Sequence, residues 1–317
     1  MSGIFRTNDP SEFARIDSII IDEKAPAGNI TGVPTNVAIM VGQFERGPAS
    51  LSLPIGSTGA LYQQYGNNIA YSGQKALVSK RFGSLKLIRV VASDAAKASL
   101  VLAAGEVEAE ALHEGAYGNN IQVIVEAGTD AVGKKYTFID NNANAVLPTE
   151  VYDQVELTGK SQQEIDELFA GSRLVKIVRL AAITGEPADI PASPVTSLAG
   201  GSDGTVADTD YETAIAEAEQ ERAGNVLFLD DYNATRSGYL KTHAAATQDK
   251  MVIVCGDETD GVADVVSDAD NFRDADGRII YGWPWVQTTI NGTQQFQNPA
   301  SWIASVFSLT AADVSLA

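Results

Sequence analysis

The sequence predicts an α/β protein: a discontinuous core with a mostly parallel or mixed sheet and helices, an inserted β-rich domain, and an extended N-terminal arm. Three observations carry that expectation. Strand-length apolar runs alternate with helical segments in residues 23–97 and again in 200–317, the pattern of a parallel sheet. Residues 98–199 change character, with strand-like runs separated by Gly-, Asn- and Pro-rich turns. Residues 1–22 end in a strand-like run that has no partner nearby. The expected division is therefore 1–22 as arm, 23–97 and 200–317 as two parts of one core, and 98–199 as insert.

In chain order, residues 16–21 (Ile-Asp-Ser-Ile-Ile-Ile) read as a strand, with Ile16, Ile19, Ile20 and Ile21 as its apolar positions. A hairpin partner is not obvious, because residues 24–32 hold one proline and two glycines, Gly28 and Gly32. Such a strand pairs either with its own sheet's edge or with another chain. Residues 35–42 are a largely apolar run suited to a strand buried on both faces. After turn chemistry at Phe44-Glu-Arg-Gly-Pro48 and an extended piece at 51–55, residues 57–65 and 72–82 predict helices stopped by Gly66 and Gly83. Residues 85–92 return to a strand.

Within the insert, strands are expected at 99–103, 121–127, 134–139, 146–156 and 174–182. One helix is expected at 162–170, opened by a capping box of Ser161 and Glu164. Beyond the flexible Gly200-Gly-Ser-Asp-Gly204, a second capping box, Thr209 with Glu212, predicts a helix running to about residue 223. Strands at 225–230 and 250–255 then alternate with helices at 236–248 and 262–272, residues 277–285 read as an extended, aromatic-ended segment, and a last helix starts at Pro299.

Composition removes several function classes. Forty-one Asp and Glu face 22 Lys and Arg, a net charge of −19. A chain this acidic will not track a phosphate backbone non-specifically or bind an anionic membrane. One cysteine, Cys255, excludes an intramolecular disulfide and a Cys-based zinc site. With only His113 and His243 besides, a His-rich metal site within one chain is excluded too. No signal region or 18-residue apolar run is present, so a soluble protein from a reducing compartment is expected. The sequons Asn233-Ala-Thr235 and Asn291-Gly-Thr293 then carry no glycosylation meaning.

Motifs with a chemical reading are few. Thr158-Gly-Lys-Ser161 lies between strand and helix, where a phosphate loop would sit. The first glycine of that motif is replaced by Gln154, so helix capping explains the segment better. The acidic run from Asp268 to Asp276 lacks the turn glycine and the bidentate Glu of a calcium loop and reads as a solvated acidic loop. Cys255 ends a strand and His243 lies one helix earlier, which suggests an α/β hydrolase as the catalytic alternative. A lone cysteine is more often a small buried hydrophobe. Trp283-Pro-Trp285 is better explained by packing at a sheet end than by stacking on a ligand.

Several segments together resemble the tail sheath proteins of contractile (myovirus-type) bacteriophages and related injection systems. These are Ile30-Thr-Gly-Val-Pro-Thr35 running into Ala38-Ile-Met-Val-Gly42 and Arg46-Gly-Pro48; the 56–66 helix with Leu85-Lys-Leu-Ile-Arg-Val-Val91; Gly115-Ala-Tyr-Gly-Asn-Asn-Ile121; Gly200-Gly-Ser-Asp-Gly204 with Asp210-Tyr211; and, loosely, Ile280-Tyr-Gly-Trp-Pro-Trp285. They occur in the family's order. The resemblance implies a mechanical role without catalysis, cofactor or metal. Subunits would stack as hexameric rings around a tail tube and contract to drive it through the host envelope. The partners implied are further copies, the tube protein, and baseplate and terminator proteins, with no direct nucleic acid and no membrane insertion. The location implied is the virion tail, assembled in the host bacterial cytoplasm. Ile16, Ile19, Ile20 and Ile21 would then be a donated strand, and Gly28 and Gly32 its hinge. The family continues beyond the last helix here, so with its end at Ala317 the chain reads either as a truncated fragment or as a short relative.

Overall fold

The computed structural model describes residues 37–309, apart from 104, 131–132, 222–224, 274–275 and 291. Ile16, Ile19, Ile20, Ile21, Gly28 and Gly32 lie outside the described residues, so the donated strand and its hinge have no structural account here.

Strand β1 (Val37–Gly42) is followed by helices α1 (Thr58–Tyr65) and α2 (Ser72–Leu77), then by β2 (Ser84–Arg89). Ser57 caps α1 by accepting from the Ala60 N–H at 3.1 Å, and Gly66 ends it at φ 82°. Helix α2 stops at Leu77, well short of residue 82, because Val78 turns extended and Ser79 takes a left-handed φ of 65°. The insert adds β3 (Ser99–Ala103), β4 (Val107–Ala111), β5 (Ile121–Ala127), β6 (Lys134–Asp140), β7 (Glu150–Val155), α3 (Gln162–Leu168) and β8 (Val175–Arg179). The Ser161–Glu164 capping box is formed, with the Ser161 N–H donating to Glu164 Oε2 at 2.8 Å.

The chain continues through α4 (Asp208–Glu217), β9 (Asn225–Leu229), α5 (Ala234–Thr247), β10 (Lys250–Cys255), α6 (Val262–Asn271), β11 (Ile279–Gly282), β12 (Val286–Ile290), β13 (Thr293–Gln297) and α7 (Pro299–Leu309). Helix α4 starts one residue before Thr209. Its Asp210 carboxylate, not Glu212, accepts the Ala207 N–H at 2.8 Å, so the expected Thr209–Glu212 box is not used. Asp268 and Asp270 belong to the last turns of α6 rather than to a loop.

Five parallel strands form the central sheet in the order β2-β1-β9-β10-β11. This is a doubly wound order, with its topological switch between β1 and β9. The strands alternate their side chains between two buried faces, which is why they read as continuous apolar runs. Val37, Ile39 and Val41 join Leu227, Leu229, Val252 and Val254 beneath α4 and α5. Ala38 and Met40 join Leu87, Val226, Phe228, Ile253 and Cys255 beneath α1, α2 and α7.

The insert departs after β2 and returns before α4, carrying a core of its own. Its two antiparallel sheets are β3-β4-β8 and β5-β6-β7. Tyr136 meets Phe169 edge-on at 5.5 Å, and Tyr152 lies 4.8 Å from the same ring. Two elements were not expected. Strand β4 is Val-Glu-Ala-Glu-Ala, in strict alternation, and it lies between β3 and β8. Strands β12 and β13 form an antiparallel hairpin whose last pair before the turn is Ile290–Thr293.

Candidate functional site: the junction at the carboxyl end of the sheet

In a doubly wound sheet the crevice at the switch point, outside the strand carboxyl ends, is where ligands ordinarily bind. Here the carboxylate that stands at that crevice is already engaged within the protein. Asp230, directly after β9, accepts from the Gln43 N–H at 2.8 Å, the Ser72 hydroxyl at 2.5 Å and the Tyr211 hydroxyl at 2.9 Å. Gly42 admits this carboxylate, because a Cβ there would stand 2.7 Å from Asp230 Cβ. Burial raises the Asp230 pKa, while its donors pull the other way. Three donors satisfy the group within the protein, leaving it no need of a ligand.

Next to Asp230, residues separated by some 150 positions converge on the seam between sheet and insert. The Arg46 guanidinium is buried and contacts Asp140 Oδ2 at 3.2 Å, with both side chains almost wholly shielded from water. Its other nitrogen donates to the Tyr62 carbonyl at 3.1 Å, and the group stands 6.0 Å from the Tyr117 ring. Arg89, the last residue of β2, donates to the carbonyls of Phe44, Gly47 and Glu114 at 3.0, 3.3 and 2.8 Å. One planar guanidinium thus ties the turn after β1 to the entry of the insert.

The Gly115–Asn120 turn is held from the other end. Asp203 accepts from the Tyr71 hydroxyl at 2.8 Å and the Ala116 N–H at 3.0 Å. The Asn119 carboxamide pairs with the Gly201 backbone in both directions, at 2.8 and 2.9 Å. Gly115 sits at φ 131°, and a side chain there would meet Asp203. Gly201 faces the Gly115 carbonyl, which a Cβ would approach to 2.6 Å. The two chain crossings between core and insert run side by side, paired at Ala96–Ser202 and Ser99–Ala199. Four of the quoted motifs therefore meet in one place: Arg46-Gly47, Arg89, Gly115–Asn120 and Gly200–Gly204.

The chemical alternatives fare differently. Cys255 and His243 are not brought together. Cys255 ends β10 on the face beneath α7, whereas His243 lies on α5 across the sheet. Burial lowers the His243 pKa, and the charges that act on it are those of Lys250, Glu219 and Asp249, with Lys250 at the opposite end of the strand from Cys255. Burial also pushes the Cys255 thiol up to about 12, the reverse of an activated nucleophile. At Thr158 the turn amides are already taken: Glu186 Oε1 accepts from the Leu157 and Thr158 N–H groups at 2.9 and 2.8 Å, where a phosphate would have to bind. Among the described residues no group of His, Cys, Asp or Glu is arranged to hold a metal ion, and no helix is long and apolar enough to cross a membrane. Trp285 donates its indole N–H to the Gly256 carbonyl at 2.9 Å, a packing role at the sheet end.

No family model and no curated protein matches the chain. Solved structures do. The sheath tail protein of Listeria innocua superposes with a TM-score of 0.59 at 17% identity, over 87% of this chain and 57% of that one. The sheath tail protein of Desulfitobacterium hafniense gives 0.53 at 17% identity, over 86% and 57%. This chain thus spans less than two thirds of either structure. The described residues share the fold of these sheath tail proteins, an α/β core carrying a β-rich part.

Proposed function

We propose that this chain is a structural subunit of a contractile tail sheath, polymerising as stacked hexameric rings around a tail tube in the virion tail. The carrying observation is the junction. The four motifs that meet there spend their hydrogen bonds on fixing the insert to the sheet. A subunit of this kind transmits force and performs no reaction. Its further partners are the tube, baseplate and terminator proteins.

Assembly requires edges that accept strands. The β12–β13 hairpin is a separate two-stranded sheet, and a lone hairpin is marginal until extended. None of the residues from Ile279 to Ala312 is charged, so an incoming apolar strand meets no like charge there. We assign the donated strand to Ile16, Ile19, Ile20 and Ile21, swinging on Gly28 and Gly32. In a two-residue hairpin the Thr289–Gln294 pair directs its backbone groups outward, because Ile290 and Thr293 pair inward.

Negative-stain microscopy of the chain tests this reading. Tubes or rings are expected, and deleting residues 1–22 is expected to abolish them. Gln294→Pro removes an outward N–H and leaves the hairpin's backbone bonds in place, at the cost of one exposed Gln287–Gln294 side-chain bond, so it should fold normally yet assemble poorly. Normal tubes from the deletion would defeat the arm assignment, and a strictly monomeric wild type would defeat the function.

A further inference from the structure

A groove of about 580 Å³ opens at the β2 edge of the sheet, lined by the apolar side chains Ile55, Leu61, Leu77, Phe82 and Leu85. Its charged lining residues are Lys80 and Arg81, and no carboxylate lines it in a protein with nearly twice as many acids as bases. Lys80 donates to Gln297 Oε1 at 2.6 Å and lies 4.5 Å from the Trp302 ring centroid, but has no acidic partner among the described residues. Burial accordingly pulls its ammonium down to about 7. Gln74, only 2% exposed, lines the same groove with its carboxamide oxygen unpartnered. Buried polar atoms without partners are uncommon.

The opposite edge of the sheet carries the complement. Helix α6 leads into β11 and buries none of its residues. Val262 and Val266 stand 68% and 56% exposed on its outer face, beside Asp270, with Glu258 just before the helix. The two most exposed large hydrophobics among the described residues are Leu53, at the groove's edge of the sheet, and Val262. An apolar basic groove and an apolar acidic helix therefore lie on opposite flanks, four strand spacings or roughly 19 Å apart across the sheet.

We propose that the groove beside β2 receives helix α6 of a second copy, a head-to-tail contact that repeats from subunit to subunit. The proposal rests on the reading of the chain as a self-assembling subunit and names one of its contacts. Because the two surfaces differ, the contact is heterologous, and such contacts propagate into rings or open helices rather than closing as dimers. Val262 and Val266 would enter among Leu61, Leu77 and Phe82, and the acids would meet Lys80 and Arg81.

The test uses the full chain, mixed in isotopically heavy and light copies, with a photo-crosslinking amino acid in place of Val266. Heavy-to-light crosslinks from position 266 into residues 53–85 are expected. Lys80→Glu with Arg81→Glu should lower their yield at least tenfold, and adding Glu258→Lys with Asp270→Lys should restore it. Val266→Asp, on an exposed surface where folding is not at risk, should reduce assembly to the same extent. Absence of mixed crosslinks, or reversed charges that leave the yield unchanged, would overturn the proposal and give the groove to another occupant such as a small organic carboxylate. Micrographs of the same samples separate the two readings. Tubes without the crosslink would sink this contact alone, whereas the crosslink without tubes would sink the sheath assignment alone.

Discussion

Arg46 and Asp140 show how a structural residue can carry a motif. Neither side chain meets water, and a buried ion pair holds only while both members remain. Asp140→Ala would strand a guanidinium in the seam and is expected to cost about 3–5 kcal/mol in urea unfolding. Replacing both, Arg46→Met with Asp140→Leu, should recover much of that loss. His113 lies in the same seam, its backbone N–H donating to the Tyr117 hydroxyl at 3.1 Å. Burial first, and then the Arg89 guanidinium, hold its imidazole down to about 4. A base depressed in the fold contributes stability that is fully present above its unfolded value near 6.5 and is lost as pH falls toward 4. Unfolding titrations from pH 7.5 to 4 should show that loss, and His113→Gln should flatten it by about 2–3 kcal/mol.

Among the elements, those with strong local signals were legible and those with mixed signals were not. The runs behind β1 and β10 are apolar on both faces because both faces are covered, and no neighbour is needed to see it. Ser161 and Glu164 satisfy each other's backbone within one turn, so the start of α3 was readable; Ser161→Ala should lower its stability by about 1 kcal/mol in thermal unfolding. Strand β4 was hidden because Glu and Ala are helix formers, and only its alternation marked it as half-buried sheet. The β12–β13 hairpin carried a strong turn signal in Asn291-Gly292, but its Thr- and Gln-rich strands lack the apolar face that usually confirms one. The early end of α2 depends on residue 79 adopting a left-handed conformation, a tertiary demand with no local trace in a serine. Convergence of the motifs on one seam was likewise invisible, since each contact joins residues far apart in sequence.

At the scale of the whole molecule, strand order is what sequence could not supply. Alternating strands and helices announce a parallel sheet, yet the order β2-β1-β9-β10-β11 depends on which way each crossover turns. Net charge acts at this scale as well. Copies bearing −19 repel one another, and salt screens that repulsion over a length of about 10 Å at 0.1 M. The concentration needed for assembly should therefore fall as salt rises from 20 to 150 mM, measured by light scattering. A threshold indifferent to salt would mean that short-range pairing already offsets the field.

The paired crossings at Ala96–Ser202 and Ser99–Ala199 have one more consequence. Entry and exit of the insert lie one ladder spacing apart, so the core can close its own topology without it, β2 passing to α4 through a tight turn. The insert is a cassette on a two-ply strap. A module of another shape and sequence could be exchanged there while the sheet below kept its register, provided its own two ends lay equally close.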